Sequence, residues 1–176
     1  MKNCYKVSFF ILMFLIFSLT FTSVFPQTDG KALTIEEKAY HALVTLPYYT
    51  VFDIFRIEVE GSTVILSGEV TRPLLKTDAE KTVKRISGVQ DVKNEIEVLP
   101  ISPNDDRIRM GVYQAIYYHP EFNRYALRAF PPIHIIVKNG DVKLEGKVAN
   151  EGDKNLVGIR AKGVAGVFSV TNNLVF

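Results

Sequence analysis

An α+β fold made of two small α-β-β-α-β modules, each a three-stranded mixed sheet covered by two helices, is what this 176-residue sequence predicts. Three observations predict it. The second half of the chain repeats the first, apolar residues alternate where strands are expected, and they recur at helical spacing between those strands. With a shift of 78, Ile57, Val59, Val64, Leu66, Gly68 and Val70 fall on Ile135, Val137, Val142, Leu144, Gly146 and Val148. The same shift carries Gly88, Val89, Val92, Asn94 and Ile96 onto Gly166, Val167, Val170, Asn172 and Leu174. Upstream the shift is 73, so the second copy holds five extra residues between Pro120 and Ile133. Two copies at this period make two small domains rather than a solenoid.

Each element follows from local chemistry. Thr34 and Glu37 form a capping box, and Ile35, Ala39, Ala42, Leu43 and Leu46 trace one helical face that Pro47 ends. Ile57 and Val59 then alternate with Arg56, Glu58 and Glu60, a strand with one wet face. Gly61-Ser62 turns the chain into a second strand with Val64, Leu66, Gly68 and Val70 inward. In the second copy this turn is Asn139-Gly140, which suits a type I′ hairpin. Thr77 with Glu80 is expected to begin the second helix, with Gly88 ending it, and its twin to run from about Asp153 to Val164. A last strand is expected from Val92 to Leu99. The domain limits that result are 34–99 and 105–176, with a linker at 100–104. At about 65 residues a copy is marginal alone, so the modules are expected to touch and share apolar area.

The leader bounds the compartment. Val7 to Phe25 has no charge and follows Lys2 and Lys6, the pattern of a secretory signal over residues 1–26. Nineteen residues of helix also reach roughly 28 Å, enough for an uncleaved membrane anchor. Either way the remainder is expected to be exported: periplasmic or envelope-associated, with inner-membrane anchoring if the leader stays. The only cysteine, Cys4, precedes the apolar run, so no intrachain disulfide and no lipoprotein cysteine are available.

On these stretches each copy resembles the BON domain (bacterial OsmY and nodulation domain). The likeness rests on Ile57-x-Val59, Val64-x-Leu66-x-Gly68-x-Val70 and Gly88-Val89-x-x-Val92-x-Asn94-x-Ile96, and on the same three stretches from Ile135 to Leu174. The resemblance implies a non-catalytic module of exported bacterial proteins that binds phospholipid or holds proteins at envelope membranes.

Charge and motifs narrow the chemistry. The chain carries 21 Lys/Arg and 19 Asp/Glu, a net +2 that indicates no nucleic-acid binder. Residues 34–99 hold eight basic and eleven acidic residues, −3, and residues 105–176 hold ten and seven, +3. The second module is therefore the one expected to meet anionic phospholipid. Its candidate contact helix presents Lys154, Arg160 and Lys162 beside Leu156 and Ile159. A second candidate is aromatic: Tyr117, Tyr118, Phe122 and Tyr125, with Tyr113 and Phe130 and echoes at Tyr40, Tyr48, Tyr49, Phe52 and Phe55. These suit either an interface or the seam between two undersized cores. Gly68, Gly88, Gly146 and Gly166 read as structural, the first of each pair letting a helix approach and the second ending a helix. Asn94 and Asn172 share the inward parity of the last strands and are expected to satisfy backbone groups in a loop.

No catalytic motif is present. Gly140 to Lys147 is one residue too long for a phosphate-binding loop and lies on a hairpin, and no serine has a histidine and acid at recognisable spacing. His41, His119 and His134 lie far apart in sequence, so no metal or cofactor is implied. The expected function is a non-catalytic envelope protein associating with anionic phospholipid, chiefly through its second module. The alternative is a periplasmic protein-interaction scaffold or envelope-stress protein. Oligomeric state is not encoded in these features.

Overall fold

Thr34 accepts the Glu37 N–H at 3.1 Å while the Glu37 carboxylate accepts the Thr34 N–H at 2.8 Å, so the expected capping box starts the first helix, α1 (Ile35–Val44). The computed structural model describes residues 33–176; the leader, with Lys2, Cys4 and Lys6, lies outside them. After α1 the chain forms β1 (Ile54–Glu60), β2 (Thr63–Val70), α2 (Pro73–Lys84), β3 (Asp91–Asn94) and β4 (Glu97–Val98). The second module repeats the order with α3 (Pro103–Tyr117), a 3-10 turn (Pro120–Phe122), α4 (Asn123–Ala126), β5 (Ile133–Lys138), β6 (Asp141–Gly146), α5 (Glu151–Lys162) and β7 (Ser169–Asn172).

The fold is α+β, with one mixed sheet in each module. β1 and β2 pair antiparallel in register Ile57 with Leu66, and β3 joins β2 in parallel, Val64 with Val92. β5, β6 and β7 repeat this, Ile135 opposite Leu144 and Val142 beside Val170. Val64, Leu66 and Val70 are buried and lie against Ala39, Leu43, Leu75, Ala79 and Val83 of the helices. The second core uses Ile133, Ile135, Val137, Val142 and Leu144 against Ile108, Val112, Ile116, Val157 and Ala161. Inward parity along each strand is thus as the alternation requires.

Several boundaries differ from expectation. α2 begins at Pro73, because proline at a first helical position lacks only an N–H the helix could not pair. Thr77 is therefore interior, its hydroxyl turned back to the Pro73 carbonyl. α5 likewise begins and ends two residues earlier than expected. The linker is shorter, since Ser102 caps α3 and Pro103 opens it. The expected last strand of the first module is two short ones, broken at Glu95-Ile96 where the Asn94 side-chain oxygen accepts the Ile96 N–H.

The glycines are also placed differently. A Cβ on Gly68 would overlap the Ile54 carbonyl oxygen, and one on Gly146 the Pro132 carbonyl oxygen. What approaches is the neighbouring strand, not a helix, and φ is +119° and +116° there. Gly88 and Gly166 have positive φ, but each lies four residues past its helix, facing Ile35 and Ile108 of the module's first helix. Asn139 and Gly140 both have positive φ, as a type I′ turn requires.

Candidate functional site

The contact helix expected from sequence is α5. The Asn150 side chain caps it, accepting the Asp153 N–H at 2.8 Å. Val157, Gly158 and Ala161 are buried, so the opposite side faces solvent, with Ile159 65% exposed and Lys162 exposed. Leu156 is half-buried against the core, and Arg160 is half-buried with its guanidinium on His119 Nε2. Lys154 does not share this face. At about 100° per residue it stands roughly 140° around the axis from Ile159. The structure therefore keeps Ile159 and Lys162 together on the exposed side, turns Leu156 and Arg160 partly inward, and separates Lys154. Gly158 is a packing residue: a Cβ there would lie 2.8 Å from Asn172 Nδ2.

Three of the four aromatic candidates are core residues rather than an interface. Tyr117, Phe122 and Tyr125 are 4%, 0% and 2% exposed. The Tyr117 hydroxyl donates to the Ile133 carbonyl at 2.6 Å and accepts the Ile133 N–H at 3.1 Å, fixing the start of β5. The Tyr125 hydroxyl donates to Asp153 and accepts the Ala149 N–H at 2.7 Å. Periodicity could not separate these from surface tyrosines, because the extra turn that buries them has no counterpart in the first copy. Tyr118 alone remains outside, 71% exposed. Arg124 also pairs with Asp153, so the extra segment is pinned to α5 at Arg124, Tyr125 and, through His119, at Arg160. Tyr118 and Leu127, the latter 87% exposed, also face solvent.

Phe52, Tyr113, Tyr49 and Phe55 lie at the seam between modules, whereas Tyr48 is exposed beneath Arg72 of its own module. The Ile135 N–H donates to the Val51 carbonyl at 2.7 Å, and Val51 and Phe52 pack on the second module's core. Phe52 meets Tyr113 edge to face at 6.0 Å, and Tyr49 stacks on Phe55 at 5.1 Å and reaches His134 at 5.9 Å. The wet faces of the two sheets also meet: Arg56 binds Glu69 at 3.1 Å and Glu145 at 2.9 Å, Lys143 binds Glu69, and Lys138 binds Glu97 at 2.6 Å. Burial works to raise the Glu69 carboxyl, but Lys143 and Arg56 outweigh it and hold it below the usual range. Burial pushes His134 below its usual range, against the Asp53 carbonyl and the charges of Asp53 and Glu145.

Several buried polar residues carry no signal in the sequence. Asp53 accepts from the N–H and hydroxyl of both Thr50 and Thr71, which ties the entry of β1 to the exit of β2. Asp105 receives the Asn139 and Gly140 N–H groups at 2.9 Å each, and Arg109 donates to the Val137 carbonyl at 2.7 Å. An Asp-Asp-Arg run reads as a solvated helix start, and only the distant hairpin makes Asp105 interior while Asp106 and Arg107 stay exposed. Beside the seam lies a cavity of about 940 Å³ walled by Tyr49, Phe52, Phe55, Tyr113 and Phe130, with His134 in its lining. Among the described residues no three His, Cys, Asp or Glu side chains are grouped to hold a metal ion, and no helix is long and apolar enough to cross a membrane.

The model of the BON domain family matches this chain twice, over residues 34–100 and 104–176. No curated protein matches it. Among solved structures it is similar to CdsD, a structural protein of the type III secretion system of Chlamydia trachomatis, at 13% identity and a TM-score of 0.32, covering 78% of this chain and 90% of that one. A C-terminal domain of CdsD from the same organism is similar at 15% identity and a TM-score of 0.28, covering 79% and 95%.

Proposed function

Because this chain belongs to the BON domain family through both of its modules, a family of envelope or periplasmic proteins that are generally non-catalytic, we propose that it is exported and associates with anionic phospholipid surfaces through its second module. One observation carries the reading. Ile159 and Lys162 stand exposed three residues apart on α5, and Leu127 stands exposed on the segment pinned to it. Apolar side chains that enter an interface, flanked by cations that meet headgroups, are the two parts of interfacial docking. Each basic residue near an anionic surface adds about 1 kcal/mol. The first module, with its acidic surplus, is the poorer partner for such a surface.

Sedimentation of the full chain with phosphatidylglycerol vesicles tests this, with phosphatidylcholine vesicles as the comparison. The chain is expected to pellet with the former only, to be released by high salt, and to lose binding on combining Ile159→Asp with Lys162→Glu. Equal pelleting with both lipids, or none with either, overturns it. The scaffold reading has its own support. Phe168, Val175 and Phe176 are 86%, 59% and 62% exposed around β7, the outer strand of its sheet, an edge to which a partner's strand can add. Lipid-independent capture of one envelope protein, lost on Phe168→Lys, would favour it.

A further inference from the structure

The cavity beside the seam belongs to neither of those surfaces. Its walls come from both modules: Tyr49, Phe52 and Phe55 from the first, Tyr113 and Phe130 from the second, with Met110 also in the lining. At about 940 Å³ it lies within the ~300–1,000 Å³ of small-molecule sites. Apolar walls alone would fit any greasy occupant, so the polar groups decide.

Three charged side chains share the lining: Glu145, Arg128 and Lys147. Glu145 is already satisfied by Arg56 at 2.9 Å and by the Asn173 side-chain amide at 3.2 Å. Among the described residues neither Arg128 nor Lys147 makes an ion pair or a side-chain hydrogen bond, and both are exposed. The uncompensated charge of the lining is therefore positive. His134 adds a buried Nδ1 with no hydrogen-bond partner among the described residues. The strand edge beside the cavity offers less to an extended peptide, since the Ile135 N–H is already taken by Val51. We propose that this cavity binds a single-chain amphiphile with an acidic head, its apolar chain among the seam aromatics and its head held by Arg128 and Lys147.

This goes beyond association with a bilayer surface, and the two fail separately. Calorimetric titration of the full chain with palmitate, below its aggregation concentration, is expected to show saturable one-to-one binding. Shortening the chain should weaken it about fourfold per methylene, the transfer of one buried CH₂. Arg128→Glu with Lys147→Glu, both exposed and unpaired, should weaken palmitate at least tenfold and leave hexadecylamine no weaker. Lys84→Glu with Arg85→Glu at the C-terminal end of α2 should leave palmitate binding unchanged. Ile159→Asp with Lys162→Glu, which removes vesicle binding in the surface reading, should likewise leave it intact.

A sole tryptophan introduced as Phe130→Trp gives an independent readout, since the sequence has none; its emission should shift to the blue as palmitate fills the cavity. The proposal is overturned if palmitate does not saturate, if the Arg128 and Lys147 reversals leave its affinity unchanged, or if hexadecylamine binds the wild type as tightly. Saturable binding of an apolar decapeptide without palmitate, or a dimer in sedimentation that palmitate does not dissociate, overturns it as well.

Discussion

The side-chain amide of Asn172 donates to the Lys154 carbonyl at 2.7 Å, and Asn94 makes the matching bond to the Lys76 carbonyl at 2.9 Å. In each module the asparagine oxygen also accepts a backbone N–H just past its strand, from Leu174 or Ile96, at 3.3 Å. The amide thus satisfies a backbone N–H in the loop that follows, as expected, and also bolts the strand to the second helix. Replacing Asn172 by Leu keeps its bulk but leaves the Leu174 N–H and the Lys154 carbonyl without it. The expected loss is about 1–3 kcal/mol, read as a lower urea midpoint at unchanged slope. Asn94→Leu should cost the same, and a loss below about 0.5 kcal/mol at both would show the bolts to be idle.

Gly68 and Gly146 should be the least replaceable glycines. Alanine at either must hold an unfavourable positive φ and push back a strand carbonyl, so a loss of about 2 kcal/mol or more is expected. Gly61 has φ +62° with open space around its Cβ position, so Gly61→Ala should cost only about 1 kcal/mol. Denaturant midpoints for the three alanine variants give the comparison. Equal losses would mean that conformation alone, not the neighbouring carbonyl, excludes a side chain.

Much of this fold is legible in the chain. The inward parity of Val64, Leu66 and Val70 follows from alternation alone, and the Thr34–Glu37 box from four adjacent residues. The start of α2 is not legible as a cap, because Arg72 offers no capping side chain and Pro73 sets the first turn. Tyr117, Phe122 and Tyr125 resemble surface aromatics in sequence because their burial depends on the extra turn folding back onto α5. Asp53, Asp105 and His134 escape a sequence reading for the same reason: their surroundings come from segments far away in the chain. On the candidate contact helix, Ile159 and Lys162 follow from composition, while the helical angle carries Lys154 off their face.

Acid should loosen the protein in two steps. His134 is held neutral by burial, below the usual imidazole value of 6.5, so the unfolded chain binds more protons as pH falls through that value. Its contribution is full above pH 6.5 and shrinks below it, down to the folded-state value. Glu69 is held below the usual carboxylate value of 4.5 by Lys143 and Arg56, so its contribution is present above 4.5 and is lost as pH falls further. Melting temperature measured from pH 8 to pH 3 should therefore fall first below about 6.5 and again below 4.5. His134→Gln should flatten the first fall and Glu69→Gln the second. A first fall that survives His134→Gln would assign it to another group.

The seam should make the two modules unfold together. Val51 and Phe52 belong to the first module in sequence but pack on the second module's core, and the Val51 carbonyl pairs with Ile135. Opening the seam exposes that apolar area and strands the partners Arg56, Glu69, Lys143 and Glu145. Charge pairs of this partial exposure couple by only about 1 kcal/mol at most. The aromatic contact contributes more, and Phe52→Ala should cost about 2 kcal/mol, less than a fully buried phenylalanine. Calorimetry of the wild-type chain should then show one transition with equal calorimetric and van't Hoff enthalpies. Phe52→Ala should lower that transition or split it, the second module melting first because its core loses the side chain. Arg56→Ala should shift it by far less. Two transitions in the wild type would mean that each module is stable alone and that the seam is a contact without energetic consequence.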